Sequence, residues 1–149
     1  MKISEIMNEN CIVVGVKAQN KRQLLQELAQ KASEITQISE RTVFDSLLER
    51  ENLGSTGFGG ATALPHARIA EAEKVCGIFA KLNTPIDFDA VDGKPVDLIF
   101  MLISPEGSGA DHLTALAKAS RILKDEATCN KIRQISKCEE IYALLNNQD

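Results

Sequence analysis

The residues best suited to chemistry are the two histidines, and one of them lies in the glycine-rich stretch "GSTGFGGATALPHAR", residues 54–68. Imidazole is partly neutral near pH 7 and can act as a nucleophile, so His66 is a candidate acceptor for a phosphoryl group. Small side chains, hydroxyls and backbone N–H groups suit the spread negative charge of a phosphoryl group in transfer. Pro65 stiffens the chain directly before the ring. We therefore take His66 as the primary candidate.

The same stretch admits other interpretations. The glycines lack the Lys-Ser/Thr ending of a phosphate-binding P-loop, and they follow a predicted helix instead of a strand. A hydrolase that uses Ser55 or Thr56 as its nucleophile requires a nucleophile-elbow pattern, which surrounds neither hydroxyl. From the residues alone, His66 can also be an ordinary loop histidine among glycines that only make turns. That interpretation stays open at this point.

The elements that precede the stretch are a strand and two helices. The β-branched run "CIVVGV", residues 11–16, predicts a strand. Asn20 is predicted to cap a helix from Lys21 to about Ile35, and Ser39 a second helix that stops at a left-handed Gly54. Three-and-four spacing predicts two buried stripes, which consist of Leu24, Leu25, Leu28, Ala29 and Ala32 in the first helix and Val43, Phe44, Leu47 and Leu48 in the second.

Two apolar runs follow the stretch, "KVCGIFAKL" at 74–82 and "PVDLIFMLISP" at 95–105. The turn signal Asp92-Gly93 between them predicts that they are antiparallel neighbours. Neither run alternates cleanly, so both faces of the sheet should be covered by helices. The chain is therefore expected to be an α/β protein, a three-layer α/β/α sandwich with a small mixed sheet.

The last third of the chain predicts three helices. Ser108 with Asp111 is a capping-box variant, and it places His112 in the first turn of a helix. Asp125 and Ser136 are predicted to cap two final helices. In the helix that carries His112, the inward stripe is predicted to be Leu113, Leu116, Ala117, Ser120 and Leu123.

Length and composition restrict the function classes. A chain of 149 residues fits a single domain, 1–149. It contains no apolar run near the roughly 18 residues needed to span a bilayer, and no secretory signal is recognisable, so a cytoplasmic protein without membrane insertion is expected. The net charge of −4, with scattered Lys and Arg and only six aromatic residues, argues against a nucleic-acid partner.

The four cysteines lack metal-site or redox-pair spacing, so free thiols and no bound metal are expected. They are Cys11, Cys76, Cys129 and Cys138.

Three segments together carry a resemblance to a known family. They are "LLERENLGSTGFGGATALPHAR" at 47–68, "TPIDFDAVDGKPVDLIFMLISP" at 84–105 and "HLTALAKASRIL" at 112–123. They resemble the enzyme IIA domains of the bacterial phosphotransferase system, in the fructose and mannitol class, and the second segment is most similar to the nitrogen-regulatory branch. The resemblance covers most of the chain. It implies a phosphohistidine carrier that needs neither cofactor nor metal.

The resemblance also implies roles for individual residues. His66 in "LPHAR" corresponds to the phosphorylated histidine, with Nε2 as the acceptor nitrogen, and His112 to the second family histidine. Arg50 in "LLERE" corresponds to the arginine beside the phosphoryl site, where a guanidinium can bind two phosphoryl oxygens. Ser55 and Thr56 take the place of hydroxyls that line the pocket.

The implied partners are an HPr- or NPr-type phosphohistidine carrier as donor and regulatory target proteins that distinguish the phosphorylated form. Phe58 and Leu64 are expected to be apolar contacts for the carrier. Two alternatives stay open: a sugar-specific enzyme IIA that passes its phosphoryl group to a IIB domain, and a non-catalytic binding module. Ala61 and Thr62 depart from the family pattern, because Ala61 adopts positive φ less readily than Gly and Thr62 stands where an aliphatic residue is usual.

Overall fold

The computed structural model describes residues 1–148. Within that range the strands are β1 Ile12–Val16, β2 Gly57–Gly59, β3 Thr62–Ala63, β4 His66–Arg68, β5 Cys76–Ile86 and β6 Val96–Ser104. The helices are α1 Ile3–Ile6, α2 Lys21–Thr36, α3 Glu40–Leu53, α4 Gly109–Lys124, α5 Glu126–Gln134 and α6 Cys138–Asn146, and a short 3-10 helix spans Glu9–Cys11.

The six strands form one mixed sheet around β5 and β6. These two long strands are antiparallel, with Phe79 opposite Phe100, which confirms the predicted pairing. Gly93 in the connection has a φ of 72°, as a tight turn requires. Strand β1 runs parallel to β5, β3 and β4 both run parallel to β6, and β2 pairs antiparallel with β3. The edge strand β4 therefore continues along β6 beyond the point where β3 ends.

The core lies on both sides of this sheet. Every residue of β6 except Asp97 is buried, so apolar side chains are covered on both faces of the strand. Helices α2 and α3 pack against each other and contact β5 and β4, whereas α4, α5 and α6 pack together, with α4 on β6 and α6 on β1. These two groups of helices flank the sheet, which confirms the predicted α/β architecture.

The two helices before the glycine-rich stretch follow the predicted pattern closely. The buried stripe of α2 is the predicted one, and the Asn20 side chain accepts a hydrogen bond from the Gln23 N–H at 2.9 Å. Ser39 caps α3 in the same way, through Thr42. In α3, Leu48 is only partly buried. Gly54 does end α3, but with φ 156° and ψ 142° it is not in the predicted left-handed helical conformation, because the chain leaves the helix extended.

The predicted inward face of α4 is correct for Leu123, which is buried, and wrong for Leu113 and Ala117, while Leu116 and Ser120 are half-buried. Leu113 is 62% exposed and Ala117 is also exposed. The buried residues are His112, Ala115, Ala119, Ile122 and Leu123. Both neighbouring faces of this helix carry apolar residues at three-and-four spacing, and the one that packs inward is lined by alanines, which let the helix approach the sheet closely.

Two of the predicted helix caps also differ in the structure. Asp125 caps α5 as predicted, accepting the Thr128 N–H at 3.3 Å. Ser108 precedes α4, but its hydroxyl donates to the Pro105 carbonyl at 2.6 Å and makes no cap hydrogen bond. Helix α6 starts one residue later than predicted, after Lys137, so Ser136 does not cap it. Short hydroxyl side chains have several carbonyls within reach at such turns, and the local pattern does not decide between them.

Candidate active site

An open depression of about 490 Å³ lies at the β4 edge of the sheet, between α3 and α4. Its lining consists of Ser46, Glu49, Arg50 and Leu53 from α3, His66, Ala67 and Arg68 from β4, Glu106 from the loop before α4, and His112, Leu113 and Leu116 from α4. Strand β4 reaches this place because His66 pairs with Leu102 near the end of β6. The structure thus brings together the acceptor candidate His66 and the two residues that the resemblance places beside it, Arg50 and His112.

The imidazole of His66 is held through one of its two nitrogens. Its Nδ1 lies 2.9 Å from the carbonyl oxygen of Leu64, and because a carbonyl can only accept, Nδ1 carries the proton. In the neutral ring, Nε2 then keeps a free lone pair. Burial lowers the pKa of His66 below its usual value, and the positive charges of Arg50 and Arg68 lower it further, against the opposing effects of the Leu64 hydrogen bond and Glu51. The ring is therefore neutral near pH 7, with its free lone pair on Nε2.

The second histidine lies beside the first. The ring centroids of His66 and His112 are 5.8 Å apart. His112 is buried in the first turns of α4, and its Nδ1 is 2.7 Å from the Ser104 hydroxyl at the end of β6. Burial lowers the pKa of His112, and the charges of Arg68 and His66 add to this effect. Both histidines therefore favour the neutral form near pH 7.

Two arginines and two glutamates supply the charges of the depression: Arg50 and Glu49 from α3, Arg68 from β4, and Glu106 from the loop before α4. Arg50 is half-buried, and its Nη1 donates to the Gly54 carbonyl at 2.8 Å, which uses one of the five N–H groups of the guanidinium. Arg68 is exposed at the end of β4. The sequence analysis missed Arg68, although strand alternation could have found it, because residues two apart on a strand project from the same face as each other. The two guanidinium groups can bind an anionic group beside His66.

The two predicted pocket hydroxyls are placed elsewhere. The Ser55 hydroxyl donates to the Phe88 carbonyl at 2.9 Å and accepts from the Gly57 N–H at 3.1 Å. The Thr56 hydroxyl donates to the buried carboxylate of Glu51. Neither residue is among those that line the depression. Because buried hydroxyls must be paired, these two hold the loop to its neighbours.

The two predicted apolar contacts also lie away from the rim. Phe58 lines a separate cavity, where the Lys124 ammonium is 5.4 Å from its ring centroid, and Leu64 is only 6% exposed. The apolar side chains that are exposed in the depression are Leu53, at 83%, and Leu113, at 62%. Periodicity had pointed Leu113 inward, so it was missed as a surface residue.

The two departures from the family pattern have structural roles. Ala61 has a φ of 63°, so this position does require a positive φ. Its carbonyl accepts the N–H groups of Asp97 and Leu98, at 3.0 and 3.3 Å, which ties the loop to β6. The hydroxyl of Thr62 is buried and donates to the Gly59 carbonyl at 2.9 Å. Thr62 is thus part of the loop's framework.

Among residues 1–148 there is no group of three or more His, Cys, Asp or Glu side chains placed to hold a metal ion. Cys11, Cys76 and Cys129 are buried free thiols, and Cys138 is a partly buried one. In the same part of the chain, no helix has the length and apolar character needed to cross a membrane.

Comparison with known proteins identifies the family of this chain. Residues 5–148 match the family described as phosphoenolpyruvate-dependent sugar phosphotransferase system, EIIA 2. A nitrogen regulatory protein of Bradyrhizobium diazoefficiens is 46% identical over 145 residues, which are 97% of this chain and 95% of that protein.

Solved structures give the same result. The nitrogen regulatory protein IIA-Ntr from Neisseria meningitidis superposes with a TM-score of 0.91 at 36% identity, over 96% of this chain and 98% of that one. The mannitol enzyme IIA from Escherichia coli, solved in complex with phosphorylated mannitol enzyme IIB, has a TM-score of 0.78 at 19% identity, over 95% and 97% of the two chains. The second likeness shows a common fold. The chain therefore belongs to the EIIA type 2 family of the phosphoenolpyruvate-dependent sugar phosphotransferase system, in its nitrogen-regulatory branch.

Proposed function

We propose that this protein is a phosphocarrier in which His66 Nε2 accepts a phosphoryl group from a phosphohistidine on an HPr- or NPr-type carrier protein. The observation that carries the proposal is the 2.9 Å hydrogen bond from His66 Nδ1 to the Leu64 carbonyl. It holds the ring in the tautomer whose Nε2 is nucleophilic, inside a depression lined by Arg50, Arg68 and His112.

The transfer step exchanges one nitrogen–phosphorus bond for another. The lone pair of His66 Nε2 attacks phosphorus, and the bond from phosphorus to the donor's ring nitrogen breaks, with its electron pair going to that nitrogen. The donor leaves as neutral imidazole when its other nitrogen carries a proton. His66 keeps its proton on Nδ1, so the phosphorylated ring is cationic and its hydrogen bond to Leu64 becomes charge-assisted. Because the bond that breaks and the bond that forms both join phosphorus to a histidine nitrogen, the step is close to thermoneutral.

The charge that spreads over the phosphoryl oxygens is met by fixed donors. Arg50 has N–H groups left after its bond to Gly54, and Arg68 supplies a second positive charge. When the Ser104 hydroxyl donates to Nδ1 of His112, the proton of the neutral ring is on Nε2, which can donate to a phosphoryl oxygen. These groups stabilise the transition state without a metal ion.

The donor carrier docks on the rim of the depression. Leu53 and Leu113 present exposed apolar surface there, next to the two arginines. An interface with an apolar centre and charged surroundings is typical of transient protein complexes. The carrier is therefore expected to bring its phosphohistidine over His66 with apolar contacts to these two leucines.

The output of the protein is regulation of partner proteins by its phosphorylation state. A phosphoryl group adds up to about two negative charges at pH 7. Placed beside Arg50 and Arg68 on a ring that is itself cationic, it makes the local surface charge more negative, so a target that binds one form binds the other less well. The relatives named as nitrogen regulatory proteins support a regulatory role.

The test is phosphorylation in a defined mixture. The protein is incubated with phosphoenolpyruvate, enzyme I and an HPr- or NPr-type carrier, and its intact mass is measured before and after acid treatment. We expect one acid-labile phosphoryl group, absent in His66→Ala. No addition with either carrier, on folded protein, would favour a non-catalytic binding module instead.

A second arm addresses sugar transport. The phosphorylated protein is mixed with a IIB domain of a fructose or mannitol transporter. Slow or absent transfer is expected for a regulatory protein. Transfer to IIB as fast as the transfer from the carrier would favour the sugar-specific alternative.

A further inference from the structure

A buried carboxylate behind the depression holds the start of the loop that carries His66. Glu51 is 6% exposed, and its Oε1 accepts the Thr56 N–H at 3.0 Å while its Oε2 accepts the Thr56 hydroxyl. Lys21 Nζ forms an ion pair with the same carboxylate at 2.8 Å. Glu51 is thus a buried carboxylate that is both ion-paired and hydrogen-bonded, and it does not line the depression.

From Thr56, two further hydrogen bonds lead to the reacting ring. The carbonyl of Thr56 accepts the Leu64 N–H at 3.1 Å, and the carbonyl of Leu64 accepts the His66 Nδ1–H at 2.9 Å. The first of these bonds extends the pairing of β2 with β3, in which Gly57 lies opposite Ala63. The position of the Leu64 carbonyl, which selects the tautomer of His66, therefore depends on the place where Glu51 holds Thr56.

Burial of a charge is costly unless the charge is paired and hydrogen-bonded. Here the carboxylate of Glu51 accepts hydrogen bonds from both the N–H and the hydroxyl of Thr56, which fixes the orientation of Thr56. The ion pair with Lys21 neutralises the buried charge. Without its hydrogen bonds to Glu51, Thr56 would be less firmly held. The β2–β3 turn and Leu64, which are bonded to it, could then shift more easily. Small displacements of a nucleophile cost up to about 100-fold in rate.

We infer that Glu51 and Thr56 are positioning residues for phosphoryl transfer, which act on His66 through the Leu64 carbonyl. The inference rests on the proposed acceptance of phosphate by His66. Neither residue contacts the phosphoryl group. Their effect is to keep Nδ1 protonated and hydrogen-bonded so that the lone pair stays on Nε2.

The decisive variant is Thr56→Val, which removes one donor from Glu51 and preserves the size of the side chain. The chain offers a matched control in Thr128, a buried threonine whose N–H and hydroxyl both donate to the single carboxylate of Asp125, at 3.3 and 3.0 Å. Thr128→Val removes the same kind of bond from α5, away from the depression. Thr56→Ser restores the hydroxyl and serves as the rescue.

Two readouts are combined. The rate of phosphoryl transfer is measured in single turnover against carrier concentration, and ¹⁵N NMR of the His66 ring reports which nitrogen is protonated. For Thr56→Val we expect a fall of about 10-fold or more in the maximal rate with little change in half-saturation. The Nδ1 and Nε2 signals should move toward each other as the two tautomers mix. Thr128→Val and Thr56→Ser should keep the wild-type rate and spectrum.

The inference is overturned if Thr56→Val keeps the wild-type rate and ring spectrum while it loses as much thermal stability as Thr128→Val, because its role is then only structural. The NMR readout needs no carrier. A wild-type protein that is never phosphorylated would therefore refute the proposed function, while loss of the tautomer preference in Thr56→Val would still support the positioning role.

Glu51→Gln separates position from charge and covers the case in which Thr56→Val does not fold. The amide of Gln can accept the Thr56 N–H and donate to the Thr56 hydroxyl oxygen, so both contacts persist without the charge. We expect this variant to retain the tautomer and to transfer faster than Glu51→Ala. A rate as low as that of Glu51→Ala, with the wild-type ring spectrum, would assign the effect to charge and overturn the inference. Asp97→Asn, which removes a carboxylate paired with Arg133 at 2.9 Å, is the matched control.

Discussion

The rings of His66 and His112 lie 5.8 Å apart, centre to centre, with their planes tilted by 50°. Each ring is held through Nδ1, His66 by the Leu64 carbonyl and His112 by the Ser104 hydroxyl. The remaining nitrogen of each ring, Nε2, is left for a ligand. Two imidazoles at this separation disfavour a second positive charge, which adds to the effect of burial in favouring neutral rings.

The first prediction concerns the titration of these two rings. Burial and the nearby arginines depress both pKa values, so both should titrate below the usual value of about 6.5. Arg68→Gln removes a positive charge that acts on both rings, and the pKa values of His66 and His112 should rise together. NMR titration of the ring protons measures them. Arg41→Gln on α3, outside the depression, is the control, and unchanged pKa values in Arg68→Gln would contradict the electrostatic account.

The second prediction follows from the same depressed pKa values and concerns the pH dependence of stability. Between the folded pKa and about 6.5, the unfolded chain binds more protons at these histidines than the folded protein does. Stability is therefore fully present above this window and falls as the pH drops through it. Denaturant unfolding at a series of pH values should show this loss, and the slope should diminish in His112→Gln. An equal slope in the variant would mean that other groups cause the pH dependence.

The third prediction concerns Arg50, whose guanidinium faces the depression from the end of α3. Arg50→Ala should slow phosphoryl transfer by about 10- to 100-fold without abolishing it, which corresponds to the loss of one or two charged hydrogen bonds. Arg50→Lys keeps the charge but loses the fork, so we expect an intermediate rate. Rapid-quench measurement of the phosphorylated protein tests both variants. Wild-type kinetics in Arg50→Ala would remove Arg50 from the mechanism.

The fourth prediction concerns docking. Leu113→Ser should raise the carrier concentration needed for half-maximal transfer by about 3- to 10-fold, since an exposed leucine at a docking site contributes apolar burial only in the complex. Because Leu113 is 62% exposed, the stability of the fold should change little. Val91→Ser, at another exposed apolar position in the β5–β6 connection, is the control, with 82% exposure and no place in the depression. Equal effects of the two substitutions would argue against a carrier site at Leu113.

The fifth prediction concerns Ala61 and its φ of 63°. A residue with a Cβ pays about 1 kcal/mol in the left-handed region, and relief of this strain in Ala61→Gly offsets the greater freedom of glycine in the unfolded chain. Ala61→Gly should therefore leave the free energy of unfolding unchanged or slightly raised. Ala117→Gly, in the exposed interior of α4, should cost about 1 kcal/mol. If Ala61→Gly lowers the free energy of unfolding as much as Ala117→Gly does, the backbone at residue 61 is not strained.

Local signals in the sequence determined much of this protein. The stripe of α2, the caps Asn20, Ser39 and Asp125 and the Asp92-Gly93 turn depend on residues a few positions apart, so periodicity and turn chemistry suffice to predict them. The segment that ends in "LPHAR" likewise identified the family.

The tertiary structure alone decided which side chains face the depression. Residues Ser55 and Thr56 offered hydroxyls that the sequence assigns to the pocket, yet Ser55 bonds to the Phe88 carbonyl, 33 residues away, and Thr56 to a buried Glu51. The choice between the two apolar faces of α4, which exposes Leu113 and buries His112, depends on how closely the helix can approach the sheet. A hydrogen-bond partner or a packing distance of this kind is set by chain segments far apart in sequence, and no local pattern contains it.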